Sequence, residues 1–100
     1  MITNFKKSVE QLERAKKVIP LGTQTFSKCY TQSSVGASPL FLDRGKGSHV
    51  WDIDGNEYID LRMVYGPVIL GHADDRVDDY VNERMRRGVS FSLTSEDEVL

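Results

Sequence analysis

Apolar residues near the start of the chain recur at steps of three and four positions, a spacing that places them on one side of an α-helix. They are Phe5, Val9, Leu12, Ala15, Val18 and Ile19. Asn4 stands just before this run as an N-cap candidate, and Pro20 cannot continue a helix. The pattern therefore predicts an amphipathic helix of about 15 residues between Asn4 and Pro20.

A second helix is predicted over residues 75–87, where the charges change sign from one end to the other. Acidic residues come first, at Asp74, Asp75, Asp78 and Asp79, and basic residues come last, at Arg84, Arg86 and Arg87. This order matches the helix dipole, and Gly88 follows at the position where glycine commonly ends a helix.

Between the predicted helices lie three runs rich in aromatic and β-branched residues, at 40–44, 48–53 and 57–61. Gly-Lys-Gly separates the first two runs and Asp-Gly-Asn the last two, and Asp-Gly supplies the positive φ that a tight hairpin needs. The runs predict a three-stranded antiparallel meander. Because its apolar residues alternate with polar ones only imperfectly, part of each sheet face is expected to be covered.

Two segments lack such periodicity. Residues 20–38 are rich in Ser, Thr and Gly, and an unstructured connection of this length is usually either a binding loop or a flexible linker. Residues 62–72 place an aliphatic triplet between a Gly-Pro and a Gly-His pair, which predicts a buried bend.

The composition is that of a single soluble globular domain, with 39% hydrophobic and 28% charged residues in 100. A formal net charge of -2 gives no basic field for a polyphosphate backbone, so nucleic acid is not expected as a partner. No apolar run approaches the roughly 20 residues of a membrane span, and no secretory leader pattern stands at the start, so a cytoplasmic protein is expected. The single cysteine, Cys29, fits a reducing compartment.

The last residues carry a helix-start signal. Ser95 followed three positions later by Glu98 has the order of a capping box, which normally precedes the apolar residues of a helix. Only Val99 and Leu100 follow, too few for a stable helix. We expect this polypeptide to be the front of a longer protein, and a frayed tail with incidental capping residues is the alternative.

No strong metal or phosphate motif accompanies these elements. His49 and His72 have no histidine or cysteine partner at ligand spacing, so His49 is expected to line a strand face and His72 to hydrogen-bond near a turn. Residues 52–56 lack the glycine and carboxylate positions of a calcium loop, which favours a hairpin turn. Asp52, Asp54 and Asp60 could pair as acid and base, but nothing in the sequence marks any of them as desolvated. No Gly-x-Gly-x-x-Gly or Walker pattern occurs, and Cys29 is expected to be a small packing residue.

Lys28 and Tyr65 are the candidates for a small-molecule site. Lys28 stands among Phe26, Cys29 and Tyr30 in the long loop, where a cation beside apolar and aromatic residues could bind a carboxylate in a partly dry pocket. Tyr65, before Gly-Pro, could form a wall of such a pocket. The alternatives are a surface lysine and a core tyrosine.

Three runs, taken in order, resemble one family: residues 14–20 (RAKKVIP), 46–60 (KGSHVWDIDGNEYID) and 66–72 (GPVILGH). Together they resemble the class III pyridoxal-phosphate (PLP) aminotransferases, and within them the glutamate-1-semialdehyde 2,1-aminomutase branch. The resemblance covers nearly the whole chain in the right order, whereas the hairpin motif alone would fit any class III member. Leu21 and Asp74-Asp75 depart from a usual glycine and His-Pro, so the reaction stays open between aminotransferase and aminomutase.

The resemblance implies an α+β piece of a fold-type I PLP-dependent transferase: an N-terminal helix, a long loop, a three-stranded antiparallel meander and a helix that begins the large domain. Residues 1–62 would form the N-terminal helix, substrate loop and small-domain meander, and residues 63–100 the start of the large PLP-binding domain. Family members are several times longer, and their cofactor lysine, pyridine-facing aspartate and phosphate loop would lie beyond position 100. The resemblance thus implies no catalytic, cofactor-binding or metal-binding residue in this chain.

For function, the resemblance implies a PLP-dependent aminotransferase or aminomutase acting on an amino acid, a semialdehyde or a keto-sugar. Lys28 aligns with the family's arginine that receives the substrate carboxylate, and Tyr65 with its aromatic residue before Gly-Pro, so both are implied as substrate-binding residues. Lysine keeps the charge but loses the bidentate fork of arginine. The parent protein is expected to bind PLP and to be a homodimer by family analogy.

The chain of 100 residues alone is expected to be inactive and to bind no PLP. Two other interpretations stay open. One is a free-standing interaction module that docks on a full-length aminotransferase through faces that its missing domain would have covered. The other is a remnant that hardly folds.

Overall fold

The computed structural model describes residues 4–99, and two helices and one sheet form its framework. In chain order they are α1 (Lys6–Ala15), β1 (Leu42–Lys46), β2 (His49–Asp52), β3 (Glu57–Ile59) and α2 (Asp75–Met85). Single 3₁₀ turns lie at Pro20–Gly22, Phe26–Lys28, Tyr30–Gln32, Met63–Tyr65 and Glu96–Glu98. The predicted order of helix, loop, antiparallel meander and helix is confirmed.

Helix α1 buries the predicted apolar side but is shorter than predicted. Leu12 and Ala15 are buried, whereas Val18 is 74% exposed. The helix ends after 10 residues, because the amides of residues 17 and 18 bond three residues back and Ile19 is already extended with φ -132°. A residue before proline avoids the helical region, so Pro20 ends the helix earlier than the apolar spacing indicates.

The start of α1 is fixed by another part of the chain. Phe5, not the predicted Asn4, occupies the N-cap position, although Oδ1 of Asn4 accepts a hydrogen bond from the backbone N–H of Lys6 at 3.1 Å. The β2–β3 turn lies against this end of the helix, and Nδ2 of Asn56 donates to the carbonyl of Asn4 at 2.9 Å. The hairpin and the helix are therefore one packed unit.

The three strands form an antiparallel sheet in the order β1-β2-β3. Lys46 pairs with His49, so the first turn is Gly47-Ser48 and β1 extends beyond its predicted end. Gly47 has φ +56° and Gly55, in the second turn, has φ +90°, the left-handed geometry that glycine adopts without strain. The predicted meander is confirmed, with its strand ends shifted by the position of the first turn.

One face of the sheet packs inward. Val50 is 6% exposed and Asp52 is 2% exposed, while Trp51 between them is half-buried on the opposite face. There the guanidinium of Arg44 lies 3.6 Å from the centre of the Trp51 ring. The expectation that each face is partly covered is thus met, although Ile59 remains 64% exposed.

Residues 20–32 form three short 3₁₀ turns rather than an unstructured linker, and the first of them packs on α1. Gly22 is buried so closely that a Cβ there would lie 3.2 Å from Cδ1 of Leu12. Cys29 is fully buried, and its Sγ accepts a hydrogen bond from the Thr31 hydroxyl at 3.3 Å. The prediction that Cys29 is a packing residue is confirmed.

The predicted buried bend at residues 62–72 is wrong. Ile69 is 83% exposed and Leu70 is 62% exposed, and Val64 before them is 43% exposed. An apolar sequence is buried only where another element covers it, and the described elements leave this side open.

Helix α2 begins as predicted, and Gly88 follows its last turn. Asp74 is the N-cap, and its side chain accepts a hydrogen bond from the backbone N–H of Arg76 at 3.1 Å. Gly88 takes φ +92°, the left-handed residue expected after a helix. Among residues 4–99, neither α1 nor α2 has the length and apolar character of a membrane span.

The predicted capping box at Ser95 is confirmed. The backbone N–H of Ser95 donates to Oε1 of Glu98 at 3.0 Å, and the reciprocal bond to the Ser95 side chain is also present. Tyr80 and Arg84 of α2 both bind the carboxylate of Asp97. The tail therefore begins a helical turn that is attached to α2.

Candidate functional site

A cleft of about 670 Å³ lies between the turns of residues 22–33, the sheet and the segment 58–65. Leu12 of α1, Val50 of β2 and Ile59 of β3 contribute apolar surface to it. Its volume is in the range of small-molecule sites. The cleft is therefore the best-formed candidate site in the described part of the chain.

The structure brings the two sequence-predicted site residues to this one cleft. Lys28 ends the turn Phe26–Lys28, Tyr65 ends the turn Met63–Tyr65, and both side chains line the cleft. Tyr65 is 65% exposed, so it is a wall of the cleft and not a core residue. A cation and a phenol thus reach the same space from two separate segments.

A second cation at the cleft was missed by sequence reasoning. Arg62 also lines it, and its guanidinium carbon lies 5.2 Å from the centre of the Tyr65 ring, within cation–π range. The sequence signal that could have identified Arg62 as a cleft residue is its position in the same segment as Tyr65. Lys28 and Arg62 thus give the cleft two cationic groups beside the carboxylate of Asp60, which also lines it.

His72 and Asp60 form a half-buried hydrogen-bonded pair, and Asp60 also lines the cleft. Nε2 of His72 lies 2.7 Å from Oδ2 of Asp60. An ionised carboxylate only accepts hydrogen bonds, so Nε2 is the protonated ring nitrogen. The hydrogen bond from His72 holds the pKa of Asp60 below its ordinary value, with help from the amides of Arg62 and Met63 and against the effect of burial. The prediction that His72 hydrogen-bonds near a turn is confirmed.

Asp52 is the buried polar group that the sequence did not reveal. Its carboxylate accepts four hydrogen bonds: from the amides of Asp54 (3.0 Å) and Asn56 (2.8 Å), from Nδ2 of Asn56 (2.8 Å) and from the Tyr58 hydroxyl (2.7 Å). Burial raises the pKa of Asp52, but these bonds lower it further, so the net direction is down. Because both of its oxygens already accept hydrogen bonds within the hairpin, Asp52 stabilises the hairpin rather than binding a ligand.

Among residues 4–99, no three His, Cys, Asp or Glu side chains cluster as metal ligands would.

Comparison with known proteins decides the family. The family model described as aminotransferase class-III matches residues 30–100, which is most of the chain. This chain belongs to the class III aminotransferases. The resemblance found in the sequence is thereby confirmed.

The class III proteins that this chain matches include both aminomutases and transaminases. A glutamate-1-semialdehyde 2,1-aminomutase 2 of Halalkalibacterium halodurans is 45% identical over 92 residues, which is 92% of this chain and 21% of the relative. Among solved structures, an omega-transaminase from Sphaerobacter thermophilus has 32% identity and a TM-score of 0.77 over 92% of this chain and 20% of its own. A glutamate-1-semialdehyde aminomutase from Pseudomonas aeruginosa in complex with PMP has 27% identity and a TM-score of 0.80 over 93% and 20%.

These matches show how much of a class III aminotransferase this chain covers. It spans about a fifth of the length of the relatives and solved structures that it matches. The architecture implied by the resemblance, a helix followed by a three-stranded antiparallel sheet and a second helix, is confirmed by both the fold and these neighbours.

Proposed function

We propose that this chain forms the front part of a PLP-dependent aminotransferase or aminomutase that acts on an amino acid, a semialdehyde or a keto-sugar. In that protein the chain supplies a wall of the substrate cleft and part of a dimer interface. Residues 1–62 form the helix, substrate loop and small-domain meander, and residues 63–100 begin the large PLP-binding domain. The whole protein is a cytoplasmic homodimer.

The observation that carries this proposal is the meeting of Lys28 and Tyr65 at one cleft. An exposed ammonium group attracts a carboxylate, and partial enclosure by apolar walls strengthens that attraction relative to open water. Tyr65 gives a flat aromatic surface with a hydroxyl at its tip. The proposed roles are therefore carboxylate binding for Lys28 and substrate orientation for Tyr65.

PLP, when bound to the full-length protein, supplies the electron sink for amino-group transfer. The residues of this chain bind and orient the substrate and do not take part in the bond changes. We accordingly expect the 100-residue chain alone to be inactive and to bind no PLP. Adding PLP to the isolated chain and reducing with borohydride tests this expectation, because a covalently labelled lysine would contradict it.

Substitution of Lys28 in the full-length protein tests the substrate-binding role. Lys28→Met removes the charge at similar length, so KM for the carboxylate substrate is expected to rise about 10-fold or more, as for a lost charged hydrogen bond. Lys28→Arg keeps the charge and is expected to restore most of the affinity. The matched control is Lys17→Met, which removes a lysine from the outer side of the chain after α1; an equal effect there would contradict a role specific to Lys28.

A free-standing interaction module is the second candidate function, and the exposed apolar residues favour it. Leu61, Ile69 and Leu93 are each more than 80% exposed, at 88%, 83% and 85%. Such surface suits docking on a full-length aminotransferase. The coding sequence downstream discriminates the two: a continued frame with a later lysine supports the enzyme, and a stop codon with stable expression supports the module.

A further inference from the structure

The turn that carries Tyr65 has a backbone conformation that its residues do not favour. Met63, Val64 and Tyr65 take φ values of +48°, +53° and +63°, so three consecutive side-chain-bearing residues lie in the left-handed region. Val64 is β-branched, for which this region is a marked outlier. Such a conformation persists only where the surrounding structure holds it, and it is typical of functional sites.

Asp60 is the group that holds this turn. Its Oδ1 accepts hydrogen bonds from the backbone N–H groups of Arg62 at 2.9 Å and Met63 at 3.1 Å. Its Oδ2 accepts the bond of 2.7 Å from Nε2 of His72. One carboxylate thus joins the entry of the turn to a histidine that lies beyond its far end.

Both partners of this pair are fixed to the sheet. His72 exchanges two backbone hydrogen bonds of 2.8 Å with Gly47, and its ring packs on Gly45 so closely that a Cβ there would lie 2.7 Å from Cγ of His72. The backbone N–H of Asp60 donates to the carbonyl of Ser48 at 2.8 Å. Backbone hydrogen bonds to the first hairpin turn therefore anchor Asp60 and His72, whose side chains contact each other beside the segment 62–66.

We propose that Asp60 and His72 are positioning residues: together they hold the left-handed turn 63–65 and so fix the place of the Tyr65 ring in the cleft wall. This inference rests on the proposed function, because it gives Tyr65 a substrate to contact. Asp60 also lines the cleft, whereas His72 is not among its lining residues, so His72 is the residue varied in the test. The pair acts through Tyr65, by keeping the turn from relaxing to an ordinary conformation.

The test uses matched variants of the full-length protein. His72→Leu fills the space at the sheet with an apolar side chain and removes the Nε2–H donor. His72→Gln restores an amide donor near the position of Nε2. His49→Leu is the control, since Nδ1 of His49 also lies 2.8 Å from a carboxylate, that of Glu57, but within the β2–β3 pair rather than at the turn. Should His72→Leu fail to fold, the isosteric Asp60→Asn replaces it in the hydrogen-exchange measurement and in the Tyr65→Ala background.

A change in KM with little change in kcat is the expected kinetic result. His72→Leu should raise KM about 10-fold, as a displaced orienting group does, and His72→Gln should recover most of it. In a Tyr65→Ala background His72→Leu should have no further effect, because the residue through which it acts is gone. Additive effects of the two substitutions, or an equal effect of His49→Leu, would overturn the proposal.

Hydrogen exchange gives a readout that does not depend on the reaction. The amides of Arg62 and Met63 should exchange at least about 10-fold faster in His72→Leu and recover in His72→Gln, since local opening governs exchange. Unchanged exchange would overturn the proposal even if KM moved. A wild-type protein without amino-group transfer would refute the proposed function, whereas these exchange rates would still decide whether the pair holds the turn.

Discussion

The backbone N–H of Ser8 donates a hydrogen bond of 2.9 Å to Oδ2 of Asp54, across 46 residues of the chain. Oδ1 of the same carboxylate accepts from the N–H of Lys7 at 2.7 Å. Asp54 thereby caps α1 from the β2–β3 turn, satisfying two amides that a helix leaves free at its start and placing a negative charge at the positive end of its dipole. The packing of α1 on the hairpin depends on this contact.

Removal of this cap is expected to destabilise the fold. Asp54→Ala should lower the melting temperature by about 5 °C, the usual effect of a lost N-cap in a domain of this size. Asp54→Asn should lower the melting temperature less than Asp54→Ala, because the oxygen of its side-chain amide still accepts a hydrogen bond. Thermal unfolding followed by circular dichroism measures this, with Asp43→Ala on the exposed strand β1 as the control. Equal shifts in the two alanine variants would refute the capping role.

Asp52 is expected to make the fold sensitive to acid. Its pKa lies below the ordinary value of 3.8, since burial raises it less than the hydrogen bonds from Asn56, Tyr58 and the backbone lower it. A lowered pKa gives stability that is present above the ordinary value and is lost as the pH falls through the folded-state pKa. The contribution of Asp52 should therefore be complete at about pH 5 and decline below about pH 4.

Urea unfolding at several pH values measures this contribution. Asp52→Asn should be less stable than the wild type near neutral pH, and the difference should shrink in acid as the wild-type carboxylate becomes protonated. A difference that stayed constant from neutral pH to about pH 3 would show that Asp52 contributes through packing and not through its charge.

Tyr58 is expected to titrate late and to limit stability in base. Burial and the hydrogen bond to Asp52 raise its pKa from 10.0 to about 12. A raised pKa gives stability that is complete below the ordinary value and is lost as the pH rises through the raised one. An absorbance titration of tyrosinate should show a late phase that Tyr58→Phe removes, and its persistence in that variant would contradict this assignment.

Val64→Gly is expected to stabilise the protein. Val64 has φ +53°, a region that costs an L-residue roughly 1–2 kcal/mol and glycine very little. The melting temperature should rise by about 5 °C, as a change of this size does in a domain of 60 to 100 residues. Val35→Gly is the control: Val35 is also exposed and has no positive φ, so the same substitution there should lower the melting temperature. A lower melting temperature for Val64→Gly would show that the turn is not strained.

The elements that the sequence predicted well are those with strong periodic or capping signals. Helix α1, the meander and α2 follow from apolar spacing, Asp-Gly turn chemistry and the ordering of charge along 75–87. The end of α1 was missed because the effect of Pro20 on the preceding turn outweighs the apolar spacing. The buried bend failed because burial depends on a covering element, which local hydrophobicity does not specify.

The site was only partly accessible to sequence reasoning. The choice of Lys28 and Tyr65 came largely from family resemblance, and no local pattern indicates that their two turns meet at one cleft. Asp52 was missed because two of its four hydrogen bonds come from backbone amides of the turn, which can belong to any residue type. The left-handed turn at 63–65 was missed for a related reason: none of its residues favours that conformation, and Asp60 and His72 impose it from outside.

Because Cys29 is completely buried, its reaction with a thiol reagent reports local opening of the chain. The 100-residue chain has one cysteine, and Cys29 is 0% exposed. A thiol reagent can react there only after the structure around Cys29 opens, so the labelling rate measures the frequency of that opening in solution. Ligands that tighten the neighbouring cleft would slow the modification, which gives a screening assay that needs neither a cofactor nor a known substrate.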